Sequence, residues 1–177
     1  NFQKGFYEKA EEISGETLAD TKLVKNMGCV SCPIRCERRV RVYDKDVKGP
    51  EYETVGLFGA NIESADLDAI NEINYIADLM GMDTISLGGT IAFAMELKER
   101  GIADFGVSFG DAAGLPEMIK KIARREGIYS ELANGSKWLA EKYGAKDAAI
   151  HAKGLELASY EPRKSVGMGL PTGADAT

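Results

Sequence analysis

No apolar run in the sequence approaches the roughly 20 residues that a membrane-crossing helix requires, and the opening residues, Asn1-Phe2-Gln3-Lys4-Gly5, hold no apolar signal core. The expectation is a soluble protein of the cytoplasm with no membrane partner. Positive charge is not in excess either: 22 Lys and Arg stand against 28 Asp and Glu, net −6, with both signs dispersed along the chain. Such a balance makes nucleic acid and anionic lipid poor partners. There is one histidine, His151, and cysteine is absent outside a single stretch. Three is an odd number, and a chain of 177 residues buries roughly 70% of its unfolded surface without covalent staples. A disulfide framework is therefore excluded and a reducing compartment implied. Internal repeats and low-complexity tracts are missing. The chain reads as one domain, residues 1–177, with both ends looking cut, since the first residue is not Met and the last residues are loop-like.

What is present is concentrated in Gly28-Cys29-Val30-Ser31-Cys32-Pro33-Ile34-Arg35-Cys36. Two residues separate the first pair of cysteines and three the second, so a short loop can wrap one face of a compact metal cluster. Three thiolates are one short of the usual four for a [4Fe-4S] cluster, which requires the last ligand from elsewhere. A zinc site of Cys29, Cys32, Cys36 and His151 is also allowed by coordination chemistry, and three ordinary thiols are the remaining reading of the spacing. The zinc alternative makes the protein a non-catalytic electron-transfer or zinc-stabilised interaction module. The radical-SAM loop has the reverse spacing.

Periodicity predicts a mainly α, multihelical fold with a small β-hairpin after the cysteines. Helices are expected over 4–13, 16–24, 67–80, from Gly88-Gly89 to Arg100, from Pro116 to about Ala123, 130–133 and 136–143, the last capped by Ser136 and anchored by Trp138. Alternation of Val40 and Val42 with Arg39 and Arg41 predicts a strand, a polar turn is expected over 44–49, and a returning strand near Tyr52 to Val55 completes the hairpin. The polar face of the 67–80 helix, Asp68, Asn71, Glu72, Asn74 and Asp78, is expected to meet solvent or another subunit. A short strand is expected at 148–150.

Two further groups carry chemistry. In Gly49-Pro50-Glu51-Tyr52-Glu53-Thr54 an extended backbone points both carboxylates the same way, so Glu51 and Glu53 are expected to face one pocket as acid or base. Asp83 is either a helix N-cap or a ligand-binding carboxylate, whose acceptor-only chemistry suits the N–H groups of a pterin. Gly88-Gly89 allows a close backbone approach.

These segments, with Lys153-Gly154-Leu155-Glu156-Leu157 and Tyr160-Glu161-Pro162-Arg163, occur in one order. In that order the chain resembles the tungsten-dependent aldehyde ferredoxin oxidoreductase family over essentially its whole length. The resemblance implies a helical portion of a larger enzyme, with the remaining domains as partners and a homo-oligomer as an allowed assembly. It implies that Cys29, Cys32 and Cys36 hold three corners of a [4Fe-4S] cluster. It also implies that Asp83, Ser86 and Leu87 contact a tungsten or molybdenum bis-pterin, and that Glu53 or Glu51 lies near the metal. Ser86 stands where the family's pattern has glycine, and Ala176 stands where a histidine is expected after Gly167-Met168-Gly169-Leu170. The implied activity is oxidation of aldehydes to carboxylic acids with ferredoxin as acceptor. The isolated chain is expected not to turn over.

Overall fold

The computed structural model describes residues 1–161 and 163. Residues 167–170 and Ala176 lie outside the described residues, as does Pro162. In chain order the described elements are α1 (Gly15–Thr21), β1 (Leu23–Met27), β2 (Glu37–Val42), β3 (Lys45–Lys48), α2 (Tyr52–Phe58), α3 (Leu67–Leu79), α4 (Thr84–Glu99), α5 (Leu115–Ala123), α6 (Tyr129–Leu132), α7 (Gly135–Tyr143), β4 (His151–Ala152) and β5 (Leu155–Glu156). Single 3-10 turns sit at Ala10–Ile13 and Ala60–Ile62. The fold is mainly α, with a three-stranded antiparallel sheet in the order β1-β2-β3 and a two-stranded β4-β5 hairpin.

Helix α4 is the axis of the core. Every residue from Leu87 to Leu97 is buried, all round the helix rather than along one stripe, as a helix surrounded on every side requires. Helices α2, α6 and α7 and strand β5 pack around it, while α3 packs on α2 and α5. The Gly88-Gly89 pair serves this packing. A Cβ on Gly88 would stand 2.7 Å from Cβ of Leu57 on α2, and one on Gly89 would stand 2.9 Å from Cβ of Glu156 on β5. The close approach anticipated from sequence is thus between helix, helix and hairpin. Replacing Gly88 by Val is expected to force α2 off α4 and cost about 1–3 kcal/mol. Urea unfolding reads that cost as a lowered midpoint with unchanged slope; a midpoint equal to the parent's would show the α2–α4 contact to be slack.

Several sequence expectations are corrected. Only the last turn of the helix expected over 4–13 forms, because Gly5 interrupts it and Phe6, 70% exposed, has no core to face. The expected 16–24 helix ends at Thr21, and Leu23–Met27 instead pairs with β2 as a strand. The hairpin returns earlier than expected: β3 pairs Val47 with Val40 and Lys45 with Val42, while Tyr52 to Val55 is the start of α2. The polar face of α3 does not simply meet solvent. Lys22 bonds Asp68 at 2.6 Å, the Tyr43 hydroxyl donates to Glu72, Asn74 Nδ2 donates to Lys48 O at 3.0 Å, and Asn71 is buried. The Tyr43 and Lys48 contacts bind α3 to the sheet, and Lys22 ties it to the end of α1. Trp138 is 40% exposed, with the Lys142 ammonium 5.3 Å from its ring centroid, so it is no anchor. The cap of α7 is Asn134, and Ser136 has another use.

The sheet has one unfavourable feature. Its inner face carries the buried Val40, Val42 and Val47, and its outer face places Lys25, Arg39 and Lys48 in one cross-strand row. Like charges directly opposite one another destabilise a sheet by a few tenths of a kcal/mol or more per pair. Arg39 leans on Glu37 at 2.8 Å and Lys48 on Glu51 at 3.1 Å. The hydrogen bond to Glu51 is the main cause holding the Lys48 ammonium above the usual lysine range.

Candidate metal centre and carboxylate site

Residues 28–36 form the loop that joins β1 to β2, closed at its base by the pairing of Met27 with Glu37. A Cβ on Gly28 would stand 2.8 Å from Cα of Arg35, so glycine lets the chain entering the loop pass the chain leaving it. The Cys32 N–H donates to the Cys29 carbonyl at 3.0 Å, folding the first half of the loop into a turn. Ser31 (φ 64°) and Arg35 (φ 50°) adopt left-handed backbone, at a cost of about 1 kcal/mol each. Such strain concentrates where geometry serves a ligand. All three thiols are free of disulfides; Cys29 and Cys36 are exposed and Cys32 is half-buried. Val30, 96% exposed, and Ile34, 77% exposed, stand between them.

Among the described residues no three His, Cys, Asp or Glu side chains converge closely enough to ligate one metal ion. His151 lies on β4, where its Nδ1 accepts the Gly154 N–H at 3.2 Å. The single-ion zinc site of Cys29, Cys32, Cys36 and His151 is therefore not assembled. A cluster differs because its corners spread the thiolates apart, and three free soft donors along one exposed loop fit iron–sulfur chemistry.

The two carboxylates expected to share a pocket are separated by the helix that replaces the expected strand. Glu51 is exposed at the N-cap position of α2 and pairs with Lys48. Glu53, in the first turn, is half-buried, and its Oε2 accepts the Ser159 N–H at 2.6 Å. A cavity of about 890 Å³ lies alongside, walled by residues 1–10 and by Tyr52, Gly56, Asn61 and Ser159. Asn61 Nδ2 and Ser159 Oγ are buried without a partner among the described residues.

Asp83 is the N-cap of α4: its Oδ2 accepts the Ser86 N–H at 2.7 Å. Its carboxylate remains exposed and retains acceptor capacity beyond that one bond, so cap and ligand contact are compatible. Ser86 is half-buried and Leu87 buried against the core. The Thr54 and Thr84 hydroxyls share a 2.9 Å hydrogen bond that ties the first turn of α2 to the first turn of α4. Glu53 and Asp83, the residues next to those threonines, are thereby mounted on one joint.

Sequence reasoning quoted Glu156 within a motif but gave it no role. This carboxylate is 6% exposed, and its Oε1 accepts the Ser136 N–H and Oγ–H, both at 2.8 Å, and the Thr90 hydroxyl at 3.3 Å. It joins α4, α7 and β5, and three residues later the same segment delivers Ser159 to Glu53. Its local sequence signal is a carboxylate set between two leucines, Leu155 and Leu157.

The family model for aldehyde ferredoxin oxidoreductase, domains 2 and 3, matches residues 1–175. The chain belongs to the aldehyde ferredoxin oxidoreductase family. The tungsten-containing aldehyde ferredoxin oxidoreductase of Pyrococcus furiosus is 46% identical over 96% of the chain, and that of Thermococcus kodakarensis is 42% identical over 96%. A more distant relative, the aliphatic sulfonate oxidoreductase, WOR-like subunit, of Pyrococcus furiosus, is 26% identical over 94%. The chain spans 29% of the length of each of these three. Among solved structures, the active site complex BamBC of benzoyl coenzyme A reductase with 1,5-dienoyl-CoA contains a similar chain. It superposes with TM-score 0.68 at 27% identity, covering 81% of this chain and 23% of that one. Family membership gives the four motifs one context. Among the described residues, no helix is long and apolar enough to cross a membrane.

Proposed function

We propose that this chain is the cluster-bearing part of a tungsten or molybdenum bis-pterin oxidoreductase. The reaction converts an aldehyde and water to a carboxylic acid, two protons and two electrons, with ferredoxin as acceptor. The observation that carries the reading is the three-thiol loop, strained and exposed at the tip of the β1-β2 hairpin, in a chain of this family. When bound, the pterin-held metal supplies the two-electron chemistry and a [4Fe-4S] cluster supplies the relay. Cys29, Cys32 and Cys36 hold three corners, and the fourth ligand comes from outside this chain. Asp83 receives N–H donors of a pterin while keeping its cap, and Ser86 and Leu87 set the first turn beneath it. Of the two glutamates, Glu53 suits proton transfer better: it is half-buried and aimed by the Ser159 N–H, whereas Glu51 is exposed and held by Lys48.

Elemental analysis of the protein as the cell makes it, purified without oxygen, tests the reading. Iron near four atoms per chain together with tungsten or molybdenum is expected, as is aldehyde-dependent reduction of a viologen dye. Zinc near one atom per chain without iron would withdraw it. The 177-residue chain alone is expected to show no turnover.

A further inference from the structure

Residues 156–160 leave the core at one carboxylate and arrive at another. Glu156 is buried where the Ser136 N–H and hydroxyl reach it at 2.8 Å and the Thr90 hydroxyl at 3.3 Å. Two glycines fit around it: a Cβ on Gly89 would stand 2.9 Å from its Cβ, and one on Gly135 would stand 3.1 Å from its Oε1. Three residues on, Ser159 donates its N–H to Glu53 Oε2 at 2.6 Å, and the Tyr160 ring lies 5.2 Å from that of Tyr52, the neighbour of Glu53. Gly56 follows Glu53 by one turn on the same side of α2. A Cβ there would stand 2.5 Å from Oγ and 2.6 Å from Cβ of Ser159. Glycine inside a helix weakens it relative to alanine, so what Gly56 supplies is room for Ser159 to lie against α2. An alanine at 56 pushes Ser159 outward, and its N–H with it. A glutamate side chain has several rotamers to lose when it is fixed, and proton transfer depends on placement to within about 1 Å.

We propose that Gly56 and Glu156 are positioning residues for Glu53, the one by leaving room for the strap of residues 156–160 and the other by anchoring it, both acting through the Ser159 N–H. The inference rests on the role given to Glu53 under Proposed function. It lies wholly inside the packed part of this chain.

Gly56→Ala in the holoenzyme tests it. Turnover of aldehyde with a viologen acceptor is expected to fall about tenfold in kcat with KM little changed, while iron and tungsten or molybdenum content stay at the parent's values. Glu53→Gln is expected to lower kcat about 100-fold. In that background Gly56→Ala should cost less than about twofold more, because the strap acts through the carboxylate already removed. Residue-resolved hydrogen exchange of the holoenzyme reads the strap without turnover: protection of the amide at 159 should fall about tenfold in Gly56→Ala. Adding Ser159→Gly removes both atoms that the alanine meets and keeps the N–H. The Ser159 hydroxyl has no hydrogen-bond partner among the described residues, so the double variant should regain protection and turnover. Glu156→Gln loosens the other end, with a loss of protection at 159 of about threefold, and it carries the test if Gly56→Ala does not fold. The proposal is overturned if the 159 amide stays as protected as in the parent in either variant, or if Gly56→Ala loses metal along with turnover. It is overturned equally if Gly56→Ala costs the same factor with and without Glu53. Full turnover by Glu53→Gln would instead count against the proton-transfer role of Glu53, and hydrogen exchange would still decide whether the strap positions that side chain.

Discussion

Replacing Cys29, Cys32 and Cys36 together by serine is expected to lower bound iron from about four atoms per chain to near zero and to abolish aldehyde-dependent electron transfer in the protein as the cell makes it. Serine keeps the size of cysteine but is a hard, weakly acidic donor, and soft iron–sulfide corners select thiolate. The single change at Cys32 is expected to be the most damaging, because it is the half-buried thiol while Cys29 and Cys36 are exposed. Folding should survive. The loop projects from the sheet with Val30 and Ile34 exposed, and no cysteine contributes to the buried core. Far-ultraviolet circular dichroism and the unfolding midpoint of the cluster-free protein should therefore match those of the equally cluster-free parent. Full iron retention in the triple variant would show that the loop does not ligate the cluster.

Glu156→Ala is expected to lower stability by about 3 kcal/mol, or roughly 10 °C in unfolding midpoint for a chain of this size. Alanine removes the acceptor for the Ser136 N–H, the Ser136 hydroxyl and the Thr90 hydroxyl, all in buried surroundings. Each stranded donor then carries its desolvation cost. It also leaves space against Gly89, whose absent Cβ made room for the glutamate stem. Glu156→Gln keeps an acceptor oxygen and should lose at most about half as much. Calorimetric unfolding of both variants checks the order. Equal losses would mean that the carboxylate charge, which both variants remove, and neither the stem nor a neutral acceptor oxygen, is what this residue contributes.

The helices were readable wherever one apolar stripe met a clear stop. Asp66 and Gly81 bracket α3, Gly101 ends α4, and Pro116 opens α5 near Gly127. Errors arose where local pattern and tertiary contact disagreed. Leu23 to Met27 has no alternation of its own and becomes a strand only because β2 is there to pair with it. Tyr52 to Val55 has the composition of a strand, but its apolar residues find α4 as a helix and Thr54 meets Thr84. Polar residues at helical spacing carry no signal for a sheet lying against them, so Glu72, expected to meet solvent or another subunit, instead receives the Tyr43 hydroxyl. On the site side, the cysteine spacing left iron–sulfur and zinc chemistry both open, and Asp83 was readable as the N-cap that it is. The separation of Glu51 from Glu53 was not, since it follows from a helix that local sequence did not predict. The role of Glu156 was invisible for a related reason: its donors lie 20 and 66 positions away in the chain.

The hydroxyl pair of Thr54 and Thr84 has a consequence for how the protein tolerates change. Glu53 and Asp83 sit 30 residues apart in sequence, on different helices, yet each is one peptide unit from the same hydrogen bond. A displacement of either helix start is therefore passed to the other before it is absorbed by the core. Substitutions near one carboxylate should accordingly show non-additive effects with substitutions near the other.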